Sequence, residues 1–96
     1  MAQGVELPNC NLYLKGSKYD TNGNKVVSLT FPNSRGFSIQ TGGNLKKTGS
    51  ILRGKKTLKD MRSLSSSELK TIGREVVAYL KKHGSSTQKK KLRLYK

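Results

Sequence analysis

Three short segments near the start of the chain alternate polar and apolar residues, and turn-forming residues separate them. The segments are 11–15, 25–31 and 37–41. Alternation with a period of two is typical of a half-buried strand. Asn22-Gly23, between the first two segments, is a strong hairpin signal, and the segment from Pro32 to Gly36 forms the next turn. The pattern therefore predicts an antiparallel meander over about residues 11–42.

The alternation puts most apolar side chains of this predicted sheet on one face. That face carries Leu12, Leu14, Val27, Leu29, Phe31, Phe37 and Ile39. The other face carries Tyr13, Lys15, Val26, Ser28, Thr30, Ser38 and Gln40. An apolar sheet face has to be buried against another layer of the fold.

A helix in the second half of the chain supplies that layer. Ser65 and Glu68 have the spacing of a capping box. Gly84 is expected to end the helix at C′, where a glycine usually adopts the left-handed conformation. We therefore predict an α+β fold in which three or four antiparallel strands are packed by one C-terminal helix over about residues 66–83. The predicted core is Leu12, Leu14, Val27, Leu29, Phe31, Phe37, Ile39, Leu69, Ile72, Val76 and Leu80.

The segment between sheet and helix gives a weaker signal. Residues 44–56 combine two glycines with five basic residues. This composition favours a flexible basic loop, with a short strand at 50–53 as the alternative. Thr57 and Asp60 have the spacing of a cap on a brief helical turn.

The end of the chain is interpreted as a basic tail. Residues 85–96 begin with a polar linker and continue with a lysine block. A frayed tail is favoured over an added edge strand at 92–95, because chain termini are usually disordered unless other elements hold them. The expected organisation is one small domain over 1–84, followed by this tail.

Positive charge is concentrated in the second half of the chain. The net charge is +15 over 96 residues. Residues 1–43 hold four basic and two acidic residues, whereas residues 44–96 hold sixteen basic and three acidic residues, a net +13. Such a lopsided field attracts a polyanion. Nucleic acid is the first candidate, an anionic membrane surface the second, and a generally solubilising charge the plain alternative.

Signals for catalysis or metal binding are poor. Cys10 is the single cysteine and His83 the single histidine, so the chain cannot build an internal disulfide or a zinc site. His83 continues the helical spacing of the predicted core residues in this helix, which favours a role in packing or in capping the end of the helix. The carboxylates are scattered, and the glycines do not match a Walker spacing. We therefore expect a non-enzymatic protein without metal or cofactor.

Targeting signals are also missing from the sequence pattern. No apolar run approaches the roughly 20 residues of a membrane span. The first residues lack the basic and apolar regions of a secretory signal. The expected location is the cytoplasm or nucleoid, or the nucleus in a eukaryotic or viral setting.

The basic residues form the candidate phosphate contacts. On a helical wheel Lys70, Arg74 and Lys81 lie within roughly 40° of one another. The full predicted set is Lys46, Lys47, Arg53, Lys55, Lys56, Lys70, Arg74, Lys81, Lys89, Lys90, Lys91 and Arg93. Predicted base contacts on the sheet and its turn are Tyr13, Tyr19, Arg35 and Gln40. An ordinary polar outer face is the alternative interpretation of these four residues.

These features predict a small non-catalytic nucleic-acid-binding protein, with DNA favoured over RNA. The order of strands, basic loop and helix resembles two groups of DNA binders in architecture alone: integrase arm-binding domains and coactivator-like single-strand binders. Alternatives are a protein-interaction module (an inhibitor, assembly or virion component) that docks on an acidic protein, and a ribosome-associated protein. A homodimer, formed through a sheet edge or the helix, could complete a core this thin.

Overall fold

The fold is a four-stranded antiparallel sheet with helices, which confirms the α+β class. A computed structural model describes residues 4–41 and 43–93. The strands are β1 (Val5–Glu6), β2 (Tyr13–Tyr19), β3 (Lys25–Thr30) and β4 (Phe37–Gln40), in the order β1-β2-β3-β4. The helices are α1 (Lys46–Ile51), α2 (Leu58–Arg62), α3 (Ser66–His83) and α4 (Ser86–Arg93). The fourth strand therefore comes from the N-terminal segment, and β1 pairs with β2.

The predicted hairpin between β2 and β3 is present and is organised by Asp20. One carboxylate oxygen of Asp20 accepts hydrogen bonds from the backbone N–H groups of Asn22 and Asn24, each at 2.9 Å. Gly23 has φ +81°, a left-handed conformation that glycine adopts at low cost. The turn brings Tyr19 and Lys25 opposite each other across the hairpin.

A β-bulge in β2 changes the face of the sheet on which the later side chains of that strand lie. Leu14 pairs with Leu29, but the next pair joins Gly16 to Ser28, so β2 contains one extra residue. Because side chains alternate along a strand, one extra residue moves the rest of β2 to the opposite faces. Tyr19 consequently lies on the inner face while Tyr13 lies on the outer one. Uninterrupted alternation from residue 13 to residue 19 would instead have put both tyrosines on one face.

One hydrophobic cluster joins the sheet to the helices. It contains Leu7, Cys10, Leu12, Leu14, Val27, Leu29, Phe31, Ile39, Leu45, Leu52, Met61, Leu64, Ile72, Val76, Leu80 and Leu92. Nine of the eleven predicted core side chains are members, and the other two, Phe37 and Leu69, are half-buried against it. Ile72, Val76 and Leu80 of α3 share this cluster with the strands, and so do residues in or directly beside α1, α2 and α4.

The predicted loop 44–56 contains a helix, α1, and no strand at 50–53. Leu45 and Leu52 are buried on either side of the buried Thr48, a helical spacing. Glu75 of α3 accepts hydrogen bonds at the start of α1. Tertiary packing therefore holds this segment in a helical conformation, although its glycines and lysines favour a loop.

The brief helical turn expected after Thr57 is α2. The Thr57 side chain accepts from the backbone N–H of Asp60, and Asp60 accepts from the backbone N–H of Thr57. Met61 of this helix is completely buried, so α2 also closes the core.

The predicted frayed tail is helical up to Arg93. Ser85 and Gln88 form a reciprocal pair at its start, since each side chain accepts a hydrogen bond from the other residue's backbone N–H. Leu92 is buried in the core. The alternative edge strand at 92–95 does not form at its first two residues, and residues 94–96 lie outside the described part of the chain.

Gly84 ends α3, but not in the left-handed conformation. Its φ is −73°. Its N–H donates to the Leu80 carbonyl at 2.7 Å, and a Cβ at position 84 would lie 2.5 Å from that oxygen. The glycine is required by this close approach, because the chain turns directly from α3 into α4.

Candidate nucleic-acid interface

Four of the five acidic side chains organise backbone N–H groups. Asp20 bonds to its hairpin turn, Asp60 to the start of α2, Glu68 to the start of α3 and Glu75 to the start of α1. Backbone hydrogen bonds lower the pKa of Asp20 and of Asp60 below the usual 3.8. The carboxylates therefore shape turns and helix starts, and the basic residues outnumber them twenty to five.

Most predicted phosphate contacts are exposed. The exposed ones are Lys46, Lys47, Arg53, Lys56, Lys70, Arg74, Lys81 and Lys90. Lys55, Lys89 and Lys91 are half-buried, and Lys91 Nζ lies 5.4 Å from the centroid of the Phe31 ring. The side chain of Arg93 lies outside the described residues. Nine basic residues line three concave surfaces, three in each.

The first surface is the α3 groove, about 380 Å³ in volume, which runs between α3 and the segment before β2. Its lining is Pro8, Asn9, Lys70, Gly73, Arg74, Val77, Ala78 and Lys81. The structure thus brings together all three cations of the predicted helix stripe. A Cβ at Gly73 would lie 3.4 Å from the Pro8 carbonyl oxygen, an ordinary van der Waals contact, so Pro8 and α3 form the two walls of the groove at this point.

The second surface is the Lys25 pocket, about 350 Å³, which lies between the end of the β2–β3 hairpin and α1. Its lining is Tyr19, Gly23, Asn24, Lys25, Thr41, Leu45, Lys46, Gly49, Ser50 and Arg53. Lys25 is 7% exposed, and its Nζ lies 4.5 Å from the centroid of the Tyr19 ring. Among the described residues, this Nζ has no hydrogen-bond partner.

The third surface is the β2 groove, about 340 Å³, beside the bulge. Its lining is Lys15, Gly16, Ser17, Lys18, Ser28 and Lys56. The chain before α2 closes one side, where the Lys56 carbonyl accepts from the backbone N–H of Ser17 at 3.1 Å and the Lys55 carbonyl accepts from the Ser17 hydroxyl. Lys56 is therefore brought next to two lysines of β2.

The four predicted base contacts do not form one surface. Tyr19 lines the Lys25 pocket, whereas Tyr13 is half-buried on the outer face. Arg35 is exposed in the β3–β4 turn. The Gln40 amide donates to the Asp20 carboxylate at 2.6 Å, so this side chain helps to hold the hairpin turn.

Three lysines in these surfaces were missed as contacts by the sequence interpretation: Lys15, Lys18 and Lys25. A signal for Lys25 is present, because it shares the alternation of Val27 and Leu29 and therefore has to point to the apolar face. The bulge that brings Lys15 and Lys18 beside Lys56 has no comparable signal.

Other reactive groups are placed in structural roles. Cys10 is buried, and desolvation raises the pKa of its thiol to about 11. The His83 ring lies 4.9 Å from the Tyr79 ring at the end of α3. Within 4–41 and 43–93, no three or more His, Cys, Asp or Glu side chains are grouped so as to hold a metal ion. In the same residues no helix is long and apolar enough to cross a membrane.

Comparisons with known proteins give no match. The chain matches no protein-family model, no curated protein and no solved structure.

Proposed function

We propose that this protein binds nucleic acid without catalysis, mainly through the phosphates. The observation that supports the proposal most strongly is the α3 groove, where Lys70, Arg74 and Lys81 line one concave surface. Lysine and arginine side chains held in a groove are suited to a phosphate backbone, and their contacts carry no sequence information by themselves.

The scaffold supports this function because it fixes the helix from which the three cations project. The α3 helix is fixed by Ile72, Val76 and Leu80 in the core, on the face that the cations do not use. A preorganised array loses less conformational entropy on binding than a disordered tail would. Lys90, which is exposed on α4, adds to the positive charge of the helical half of the protein.

The proposal is tested with the full chain by fluorescence anisotropy of a labelled duplex and a labelled single strand of the same sequence. The variant Lys70→Gln/Arg74→Gln/Lys81→Gln removes the three cations of the α3 groove. We expect a loss of affinity of at least about 10-fold at roughly 0.1 M salt.

A matched control removes the same charge elsewhere. Lys59, Arg62 and Lys82 are exposed and do not line any of the three surfaces described above. The variant Lys59→Gln/Arg62→Gln/Lys82→Gln should lose less than about 3-fold, because it changes only the general field. Equal losses in the two variants would contradict a role for the groove.

A capture experiment separates nucleic acid from an acidic protein partner. Nucleic acid recovered with the protein from a lysate, and lost after nuclease treatment, is the expected result. Partners that survive the nuclease would favour the protein-interaction alternative. The affinities for DNA and RNA strands of the same sequence are then measured to compare the two classes of nucleic acid.

A further inference from the structure

The Lys25 side chain presents a feature that the fold itself does not explain. Its Nζ is buried, and it has no hydrogen-bond partner among residues 4–41 and 43–93. Removing an ammonium group from water is costly unless its N–H donors find acceptors. Buried polar groups are nearly always paired, so an unpaired amino group that borders a pocket is available to an acceptor from outside the chain, which is a water molecule or a ligand.

The rest of Lys25 is firmly held. Its backbone carbonyl accepts from both the backbone N–H and the hydroxyl of Thr41, each at 2.8 Å. The Tyr19 ring, across the hairpin, lies 4.5 Å from Nζ and provides a favourable cation–π contact. A cation–π contact places the charge but satisfies none of the three N–H donors. The amino group is therefore positioned with its donors still available.

The opposite wall of the pocket adds two more cations. Lys46 and Ser50 lie at i and i+4 of α1, on the same side of that helix, and Arg53 lies in the turn that follows it; all three line the pocket. Lysine and arginine beside a buried amino group favour a ligand with several anionic oxygens, and a phosphate group meets that description. The volume of about 350 Å³ is at the small end of ligand pockets.

Tyr19 adds an aromatic surface to this pocket. Its side chain is 50% exposed, and no other large hydrophobic side chain among the described residues is exposed. Stacking on an aromatic ring is the usual way in which proteins hold an unpaired base. A base in a duplex is already stacked between its neighbours and cannot reach such a ring, so the pairing of ring and cations suits a single strand.

We infer that the Lys25 pocket binds one unpaired nucleotide of a nucleic-acid strand, with its phosphate at Lys25, Lys46 and Arg53 and its base against Tyr19. This inference rests on the proposed nucleic-acid binding and adds that the protein distinguishes single strands from duplexes. The α3 groove holds phosphates of either form, whereas the Lys25 pocket accepts only a strand with an unpaired base.

Two substitutions in the full chain test this pocket. Lys25→Met keeps the length of the side chain and removes its charge and donors, and Tyr19→Leu removes the ring. The probes are a labelled oligothymidylate of about 12 nucleotides and a duplex of equal length, at about 0.15 M salt. We expect each substitution to weaken single-strand binding by about 10-fold or more and duplex binding by less than about 3-fold.

Controls separate packing from recognition. Tyr19→Phe keeps the ring and should bind single strands within about 2-fold of wild type. Thermal unfolding of Lys25→Met should show no loss of stability, because methionine replaces an unpaired buried amino group. If Lys25→Met fails to fold, the comparison of Tyr19→Leu with Tyr19→Phe still tests the pocket. The Tyr19 ring is half exposed, so its removal should not prevent folding.

The outcomes distinguish the inference from the proposed function. Equal losses on single strand and duplex, or no loss on either, would overturn the single-nucleotide pocket and leave nucleic-acid binding standing. A wild-type protein that binds neither probe, but binds vesicles with anionic phospholipid, would overturn both.

Discussion

The Glu75 carboxylate of α3 accepts a hydrogen bond from the backbone N–H of Thr48 in α1, with 2.6 Å between the two atoms. Its second oxygen accepts from the backbone N–H of Lys47 at 3.2 Å. This carboxylate satisfies N–H groups at the start of α1 that have no partner within that helix. It also joins the helix that carries the α3 groove to the helix that forms a wall of the Lys25 pocket.

Removing this cap should destabilise the fold. We expect Glu75→Ala to lower the free energy of unfolding by about 1–2 kcal/mol, the usual cost of a lost helix cap. Glu75→Gln keeps one acceptor oxygen and should lose less. Urea unfolding followed by circular dichroism measures both. Wild-type stability in Glu75→Ala would show that the contact does not hold α1 in place.

Gly73 within α3 and Gly84 directly after it should respond differently to alanine. A Cβ at Gly84 would lie 2.5 Å from the Leu80 carbonyl oxygen, so Gly84→Ala forces the backbone to shift and should cost about 1–3 kcal/mol. The nearest atom to a Cβ at Gly73 is 3.4 Å away, an ordinary contact. Gly73→Ala should therefore be neutral, or stabilising by up to about 1 kcal/mol from helix propensity.

Thermal unfolding of these two variants provides the check. The two variants differ only in where one methyl group is added, so each is a control for the other. A Gly73→Ala variant that is less stable than Gly84→Ala would contradict the packing described at the end of α3.

The Cys10 thiol should be unreactive in the folded protein. Burial raises its pKa to about 11, so only about one thiol in a thousand is ionised at pH 8. We expect a disulfide reagent such as Ellman's reagent to react at least about 100-fold more slowly with the native protein than with the protein in denaturant. Similar rates in the two states would mean that the segment around Cys10 opens readily.

Acid should remove the stabilisation provided by Asp60. Hydrogen bonds from the backbone N–H groups of Lys56 and Thr57 lower its pKa from 3.8. A lowered pKa in the folded state stabilises the fold above pH 3.8, and this contribution is lost as the pH falls from 3.8 through the lowered value. Asp60→Asn cannot titrate. The difference in stability between wild type and Asp60→Asn should therefore shrink as the pH is lowered over that range, and a constant difference would contradict the assignment.

The elements that could be predicted are those with strong local signals. Ser65 and Glu68 mark the start of α3, and four apolar residues at helical spacing define its buried face. Alternation and Asn22-Gly23 predict β3, the hairpin turn and the first part of β2, but β2 continues past the predicted segment 11–15 to Tyr19. In each case the local preference agrees with the final environment.

The elements that could not be predicted depend on distant partners. The short helix α1 contains Gly49 and is stabilised by Glu75, which lies far along the chain. In α4 a single leucine, Leu92, reaches the core, although Ser85 and Gln88 at its start have the spacing of a capping box.

The site was partly predictable for a similar reason. The stripe of Lys70, Arg74 and Lys81 follows from helix geometry, and the structure places all three in one groove. The Lys25 pocket depends on the bulge after Leu14, which moves Tyr19 to the inner face beside Lys25. Register changes of this kind are set by tertiary pairing and leave little trace in the sequence.

The salt dependence of binding tests the central proposal most directly. Anisotropy titrations of wild-type protein with a duplex are measured between about 0.05 and 0.2 M salt. If about six phosphates are contacted, log K should fall with log salt with a slope near −5. An affinity that does not change over this range would contradict phosphate binding as the function of this protein.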